Sequence, residues 1–467
     1  MQYDLGARRH IALTAAMFAA LVATDASVAA NPLPTAAGPL VEIAASQPPQ
    51  VSLRPTARPV TPSGVAATPL RPRIRPAQQT PTPEEPRASP ATQRAFEAWI
   101  TAFRARARAD GLSQATLDRA LAGLKFDPKI VQRDGNQSEF VTPIWTYLER
   151  AVSDARIDNG QAALREHAQP LARIEATYGV DREVVAAVWG MESNYGTFRG
   201  ERDIIRSLAT LAFDGRRAAF FESQLIAALQ ILQAGDVTPE AMTGSWAGAM
   251  GHTQFMPTSY LAYAVDFTGD GKRDIWSDDP TDALASTAAY LKRFGWVKGQ
   301  PWGLEVRLPT GFNYALADRK ITKSAQAWRQ LGVTRADGEA LPDHGKGAVL
   351  LPAGAQGAAF IVYRNFAVIE RYNAADAYVI GVGHLSDRLR GAGPIHASWP
   401  QDSRPLTSKE RRELQQRLTG AGYGTGGADG RIGPKTRAAL RAYQLAMGLT
   451  PDGYPSLSVL NRLRWWV

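Results

Sequence analysis

From about Thr92 onward the apolar positions of the chain recur at helical spacing. In "TQRAFEAWITAFRARARADG" the residues Phe96, Trp99, Ile100 and Phe103 share one face, and Gly111 closes the segment. The same period runs through "FVTPIWTYLERAVSDARIDNG", "AFFESQLIAALQILQAG" and "TDALASTAAYLKRFGW". Between about residues 298 and 371 the pattern changes. "GLEVRLP", "GAVLLPAG" and "AAFIVYRNFAVIERYN" read as short strands punctuated by Gly and Pro, while "AQAWRQLGV" among them stays helical. The expectation is a predominantly α (α+β) body over residues 92–390 with a small β-containing insertion. A spacer, "GPIHASWPQDSRP" (391–405), leads to a compact helical module over 406–467. Residues 31–91 are Pro-rich and nearly free of aromatics. They bury too little apolar surface to fold, so they read as a disordered or polyproline linker.

One helix breaks its own pattern. In "VVAAVWGMESNYG" the apolar stripe passes through Val185, Val188 and Trp189, and its next place is Glu192. An unpaired buried carboxylate costs several kcal/mol if it stays charged. Two readings follow. Arg216 or Arg217, from "DGRRAAFF", neutralises Glu192 as an ion pair. Alternatively Glu192 has its pKa raised toward neutrality, which suits a group that donates a proton and later takes one back.

The 467 residues suit two or three domains. The N-terminal "GARRHIALTAAMFAALVATDASVAANP" has two arginines, an apolar run and small residues near Ala30. It reads as a signal peptide over residues 1–30, with an apolar run short of the ~20 residues a comfortable span needs. That reading implies export to the periplasm. Cysteine is absent, which excludes disulfides, thiolate chemistry and a lipid anchor on an N-terminal Cys; no HExxH is present to hold a catalytic zinc. Of the formal charge of +9, residues 31–91 supply +3, from six Arg and three Glu. The stretch from Leu406 supplies +6, from ten basic and four acidic residues. The central body is near neutral, which argues against a nucleic-acid partner and fits attraction of the ends to a polyanionic envelope.

Residues 241–263, with "GSWAGAMGHTQFMPTSY", contain no charged side chain. Together with "AVWGMESNYG", this string resembles the membrane-bound lytic transglycosylase B family, over roughly Thr92 to Asp387. The resemblance implies a lysozyme-like catalytic domain that cleaves the β-1,4 bond between MurNAc and GlcNAc in peptidoglycan. Glu192 then matches the catalytic acid and base, and Ser245 a residue that orients it. Gln254 and Phe255 match sugar-contacting cleft residues. Tyr147 of "TPIWTYLE", Arg216, Arg217 and Tyr290 of "STAAYLKRFGW" match others, as do Tyr372, Asn373 and Tyr378 of "ERYNAADAYVIGVGHL". Ordinary glycosidases need a second carboxylate. In the resembled family the muramic acid's own 6-hydroxyl attacks, giving a 1,6-anhydro end, so one Glu suffices. A hydrolytic muramidase and a catalytically silent wall-binding protein are the alternatives.

The stretch "DFTGDGKRDIWSDDPTDA" places Asp266, Thr268, Asp270 and Gly271 at positions 1, 3, 5 and 6 of an EF-hand loop, with Lys272 offering its carbonyl at position 7. Ser277 stands where the closing Glu belongs. The family resemblance implies closure by Asp282 instead, around a structural calcium; no cofactor is required for the chemistry. A plain Asp-Gly turn is the alternative. In the tail, "LQQRLTGAGY", "DGRIGPKTRAALRAYQ" and "GLTPDG" resemble a three-helix peptidoglycan-binding module. Leu414, Leu418, Ala438, Leu440, Tyr443 and Leu449 are its expected core, and it implies glycan strands and stem peptides as partners, carried on a flexible connection.

Overall fold

The computed structural model describes residues 88–136, 142–400 and 404–465. The expected signal peptide and all but the last residues of the Pro-rich linker lie outside the described residues. The first helix, α1 (Pro90–Ala109), is capped by Ser89, whose side chain accepts from the Thr92 amide, with Pro90 at the first helical position. Phe96, Ile100, Phe103 and Ala107 are buried, as their spacing requires. Phe96 stacks on Trp99 and meets Phe126 and Phe213 edge-on.

Helices α2 (Gln114–Leu121), α3 (Pro128–Asn136), α4 (Ile144–Ala151), α5 (Asp154–Glu166) and α6 (Ala168–Tyr178) lead to α7 (Arg182–Ser193). Every residue of α7 from Val184 to Ser193 is buried, so this helix is packed on all sides rather than amphipathic. It ends abruptly: Asn194 and Tyr195 both take left-handed backbone angles, φ 48° and 57°. The chain continues through the short strand β1 (Arg202–Asp203), α8 (Ile204–Asp214), α9 (Ala218–Ala234) and β2 (Thr243–Gly244), which pairs antiparallel with β1. Helices α10 (Pro257–Tyr263) and α11 (Thr281–Arg293) follow.

The insertion forms a four-stranded antiparallel sheet. In chain order it comprises β3 (Gly303–Arg307), α12 (Ala325–Gln330), β4 (Thr334–Arg335), β5 (Ala348–Leu350) and β6 (Ala359–Val362), and in space the strands run β4-β3-β6-β5. Trp328 is the centre of a separate small core, with its indole N–H donating to the Gly347 carbonyl at 2.9 Å. The run "AAFIVYRNFAVIERYN" is not one strand. It splits into β6 and a helix, α13 (Arg364–Ile369). The buried Asn365 amide explains the switch: it accepts from the Val297 amide and donates to the carbonyls of Val297 and Gln300, tying α13 to a loop far away in sequence. Helix α14 (Asp376–Leu389) then packs against α7.

The C-terminal module consists of α15 (Ser408–Gly420), α16 (Pro434–Ala446) and α17 (Leu457–Arg464). Thr407 and Glu410 form a reciprocal capping box at its start. Leu414, Leu418, Leu440 and Tyr443 are in the core as expected, but Ala439 rather than Ala438 faces inward, and Leu449 is only half-buried. On α16 Ala439 lies on the same face as Tyr443, four residues on, whereas Ala438 points to solvent. Both the connection and the module touch the catalytic body. The Glu305 carboxylate accepts from the His396 and Ala397 amides at 2.8 and 2.7 Å, and Trp399 stacks on Trp145. On the module side, Asp452 Oδ2 accepts from the Ala355 amide at 2.9 Å. Gly354, at φ +70°, lets Tyr454 come close; a Cβ there would sit 2.8 Å from that of Tyr454.

Candidate active site

Glu192 lies in the last turn of α7, 7% exposed. Its Oε1 accepts a hydrogen bond of 2.5 Å from the hydroxyl of Tyr378 on α14. Burial drives its pKa up to about 7, opposed only in part by the Tyr378 bond, which favours the charged form. No cation pairs with Glu192 among the described residues. Arg216 Nη2 and Arg217 Nη2 both bind the Asp134 carboxylate, at 2.9 Å for Arg216, and the Arg217 guanidinium lies over the Phe221 ring. The ion-pair reading therefore fails.

Gly381 on α14 faces Met191 of α7 and Tyr147 at close range. A Cβ there would lie 3.2 Å from Met191 Cε and 3.3 Å from Tyr147 Cε1. Tyr147 lies on α4, and its buried hydroxyl has no hydrogen-bond partner among the described residues. Burial and the Glu192 charge both push its pKa up, while the Arg156 guanidinium pulls the other way. Tyr372 feels Glu192 too, beyond the effect of its own burial, and its hydroxyl donates to the Thr253 carbonyl at 2.7 Å. Phe255 packs between Tyr290 and Tyr372, with ring centroids 6.0 and 5.9 Å away, and Tyr290 donates to the Arg371 carbonyl at 2.6 Å. The remaining polar residues are held by backbone. Gln254, at φ 52°, donates its Nε2 to the carbonyls of Arg199 and Gly251, both at 2.9 Å. Ser245 Oγ accepts from the Ala249 amide at 3.0 Å and Asn373 Oδ1 from the Ala375 amide at 3.1 Å. The group that bonds Glu192 is thus Tyr378, while Ser245 braces its own turn.

A further residue braces the acid's helix. Trp189 Nε1 donates to His252 Nδ1 at 3.1 Å, His252 Nε2 donates to the Ser277 carbonyl at 2.7 Å, and Ser193 Oγ donates to the His252 carbonyl at 2.5 Å. Burial holds the His252 pKa down, so the imidazole is neutral with its proton on Nε2. In the sequence the only cue is a lone imidazole inside an otherwise uncharged segment.

At the start of α11, Asp282 is buried and its Oδ1 accepts from the amides of Phe267 and Thr268, both at 2.9 Å. Carboxylate oxygens of Asp266, Asp270 and Asp282 lie within 4.8 Å of one another. Asp266 gathers the amides of Gly269, Asp270 and Gly271, Thr268 Oγ1 donates to it at 3.4 Å, and the Lys272 amide donates to Asp270 Oδ1 at 2.9 Å. Burial is the main cause of the raised Asp282 pKa, with the Asp266 charge adding to it.

A family model described as a transglycosylase SLT domain matches residues 95–387, and one described as a putative peptidoglycan binding domain matches residues 407–463. Membrane-bound lytic murein transglycosylase B of Escherichia coli (strain K12) is 34% identical over 250 residues, or 52% of this chain. The chain spans 66% of that relative's length. The crystal structure of SltB3 from Pseudomonas aeruginosa, in complex with NAG-anhNAM-pentapeptide, is 51% identical with a TM-score of 0.76, covering 79% of this chain and 99% of that one. The Escherichia coli lytic transglycosylase Slt35, in complex with calcium, is 29% identical with a TM-score of 0.54 over 64% of this chain and 94% of its own.

Proposed function

The chain belongs to the transglycosylase SLT domain family, and on that premise we propose that it is a peptidoglycan lytic transglycosylase with Glu192 as its one acid and base. The observation that carries this reading is the isolation of Glu192. Its charge state is governed by burial and one tyrosine bond, and among the described residues no second carboxylate acts on it. A carboxyl group titrating near pH 7 is partly protonated where the enzyme works.

Glu192 first gives its proton to the glycosidic oxygen as the bond to the anomeric carbon breaks. The ionised carboxylate, with the Tyr378 hydroxyl on Oε1, then takes the proton of the muramic acid's 6-hydroxyl as that oxygen bonds to the same carbon. A 1,6-anhydro ring forms, no water is consumed, and the acid is regenerated. Tyr372, half-buried against the buried rings of Phe255 and Tyr290, suits the apolar face of a sugar ring, and the unpartnered Tyr147 hydroxyl suits a sugar oxygen. Gln254, Asn373 and Ser245 shape the backbone around the cleft. Arg216, exposed and anchored on Asp134, suits an acidic substituent of the wall.

No helix among the described residues is long and apolar enough to cross a membrane. Carrying its own peptidoglycan-binding module, the enzyme acts on the wall in the periplasm. Three clustered carboxylates, one of them buried, fit a structural calcium. Asp266, Asp270 and Asp282 would hold the ion, with Thr268 and the Lys272 carbonyl completing the set; the ion would supply bracing charge and no step of the reaction. Saturating calcium is expected to raise the unfolding temperature by several degrees relative to a chelator, and Asp282→Asn to remove that rise. A melting curve indifferent to calcium leaves the loop a plain turn.

The reaction is tested by digesting purified sacculi with the protein and identifying the released muropeptides by mass spectrometry. Products one water lighter than hydrolysed ones are expected. Reducing-end products would make the protein a muramidase. Sedimentation with the wall and no products would make it a silent binder.

A further inference from the structure

The two Asp-Gly turns of the C-terminal module are copies of one device. In the first, Gln415 on α15 donates its Nε2 to Asp429 Oδ1 at 3.2 Å and accepts from the Gly430 amide at 2.7 Å. In the second, Gln444 on α16 donates to Asp452 Oδ1 at 2.7 Å and accepts from the Gly453 amide at 2.8 Å. Each Asp Oδ1 also accepts from the amide two residues on, Arg431 at 2.8 Å and Tyr454 at 2.9 Å. Even the surroundings repeat. Three residues before each Gln an arginine, Arg412 or Arg441, lays its stem on the turn glycine, and seven residues before it a carbonyl, of Ser408 or Arg437, approaches the same glycine.

The copies differ in what their outer oxygen does. Asp452 Oδ2 accepts the backbone N–H of Ala355, which belongs to the catalytic body. Asp429 Oδ2 has no hydrogen-bond partner among the described residues, and Asp429 is exposed. Their rims differ in the same sense. Beside Asp452 stands Tyr454, which packs on Gly354. At the Asp429 turn Arg412 lies on Gly430 and Arg431 follows Asp429 by two residues, while Lys435 lies along Gly426 of the same loop; all three are exposed.

We propose that the open turn at Asp429 captures a backbone N–H of an acidic peptide, while the surrounding cations take its carboxylates. Within the function proposed above, on which this inference rests, that peptide is the stem peptide of the wall. The second turn shows the capture made on a foreign backbone, and the first offers the same oxygen with a charged rim instead of a packing surface.

The test uses the full chain carrying Glu192→Gln, so that nothing is cleaved, and two probes: intact sacculi, and the glycan strands that an amidase releases free of stem peptides, immobilised on beads so that they sediment. Asp429→Asn keeps Oδ1 for Gln415 and replaces the outer acceptor with a donor. It is expected to weaken co-sedimentation with intact sacculi about tenfold, as loss of a charge-assisted hydrogen bond does, and to leave binding to the bead-held stripped glycan unchanged. Arg431→Ala, whose side chain is exposed and not part of the clamp, is expected to lower only the first binding, by several-fold. Should Asp429→Asn unfold the module, Arg431→Ala decides alone. Parent-like binding to intact sacculi by both variants overturns the site, as does equal loss on the stripped glycan. A parent that sediments with neither probe overturns the site together with the wall-binding reading. Anhydro products from the unmutated enzyme tell whether the catalytic reading also falls.

Discussion

Glu192→Gln is expected to abolish anhydro-muropeptide release, by at least about 10³-fold, while making the protein more stable at pH 8. The first effect follows because one group serves both proton transfers, each of which ordinarily contributes 10²–10⁴-fold. The second follows from linkage. Glu192 titrates at about pH 7 in the folded protein, against about 4.5 when unfolded, so its folded pKa is raised. Below the unfolded pKa both states hold the proton and the residue costs nothing. Between the two values the folded state keeps a proton that unfolding releases, and the cost of the buried charge grows with pH. Above about pH 7 it is complete, on the order of 3 kcal/mol. Gln keeps an oxygen for Tyr378 and never ionises, so it escapes this cost. Melting curves from pH 4 to pH 8 should show a gap between variant and wild type that opens with pH. A gap independent of pH, or cleavage that survives, would sink the assignment.

What the sequence discloses about this site depends on distance along the chain. Glu192 is legible because its anomaly is local: the stripe that leads to it lies within the same two turns of helix. Tyr378, its partner, is 186 residues away, and no periodicity joins them; only the family resemblance brought it forward. Sequence alone left an Arg216 or Arg217 ion pair open, because nothing in it marks Asp134 as their acceptor. The split of the "AAFIVYRNFAVIERYN" run follows the same rule. Its first half is apolar enough for a strand, while the helix that follows is fixed by Asn365 bonding to a loop more than sixty residues earlier. The mostly helical class needed no such contacts, since each helix carries its own period. The docked module is the opposite case. "GLTPDG" reads as a turn, and the use of the second Asp452 oxygen emerges only with the surface it meets.

Tyr378→Phe separates holding the acid from merely packing beside it. The hydroxyl donates to Glu192 Oε1 and favours the ionised form, so its removal sends the Glu192 pKa further up. The acid form then persists to higher pH and the base form becomes scarcer near neutrality. With soluble glycan fragments as substrate, the limb of the rate profile that reports Glu192 ionisation should move up by roughly one pH unit, the worth of a hydrogen bond to a charged group. The maximal rate should fall about 10- to 100-fold, because the second proton transfer loses the group that fixes the carboxylate. Tyr372→Phe is the comparison. Its hydroxyl bonds to the Thr253 carbonyl rather than to Glu192, so its removal should lower affinity for the glycan and leave that limb in place. If both variants lower the rate without moving the limb, Tyr378 only fills space. If Tyr378→Phe moves it downward, some other group governs the ionisation of Glu192.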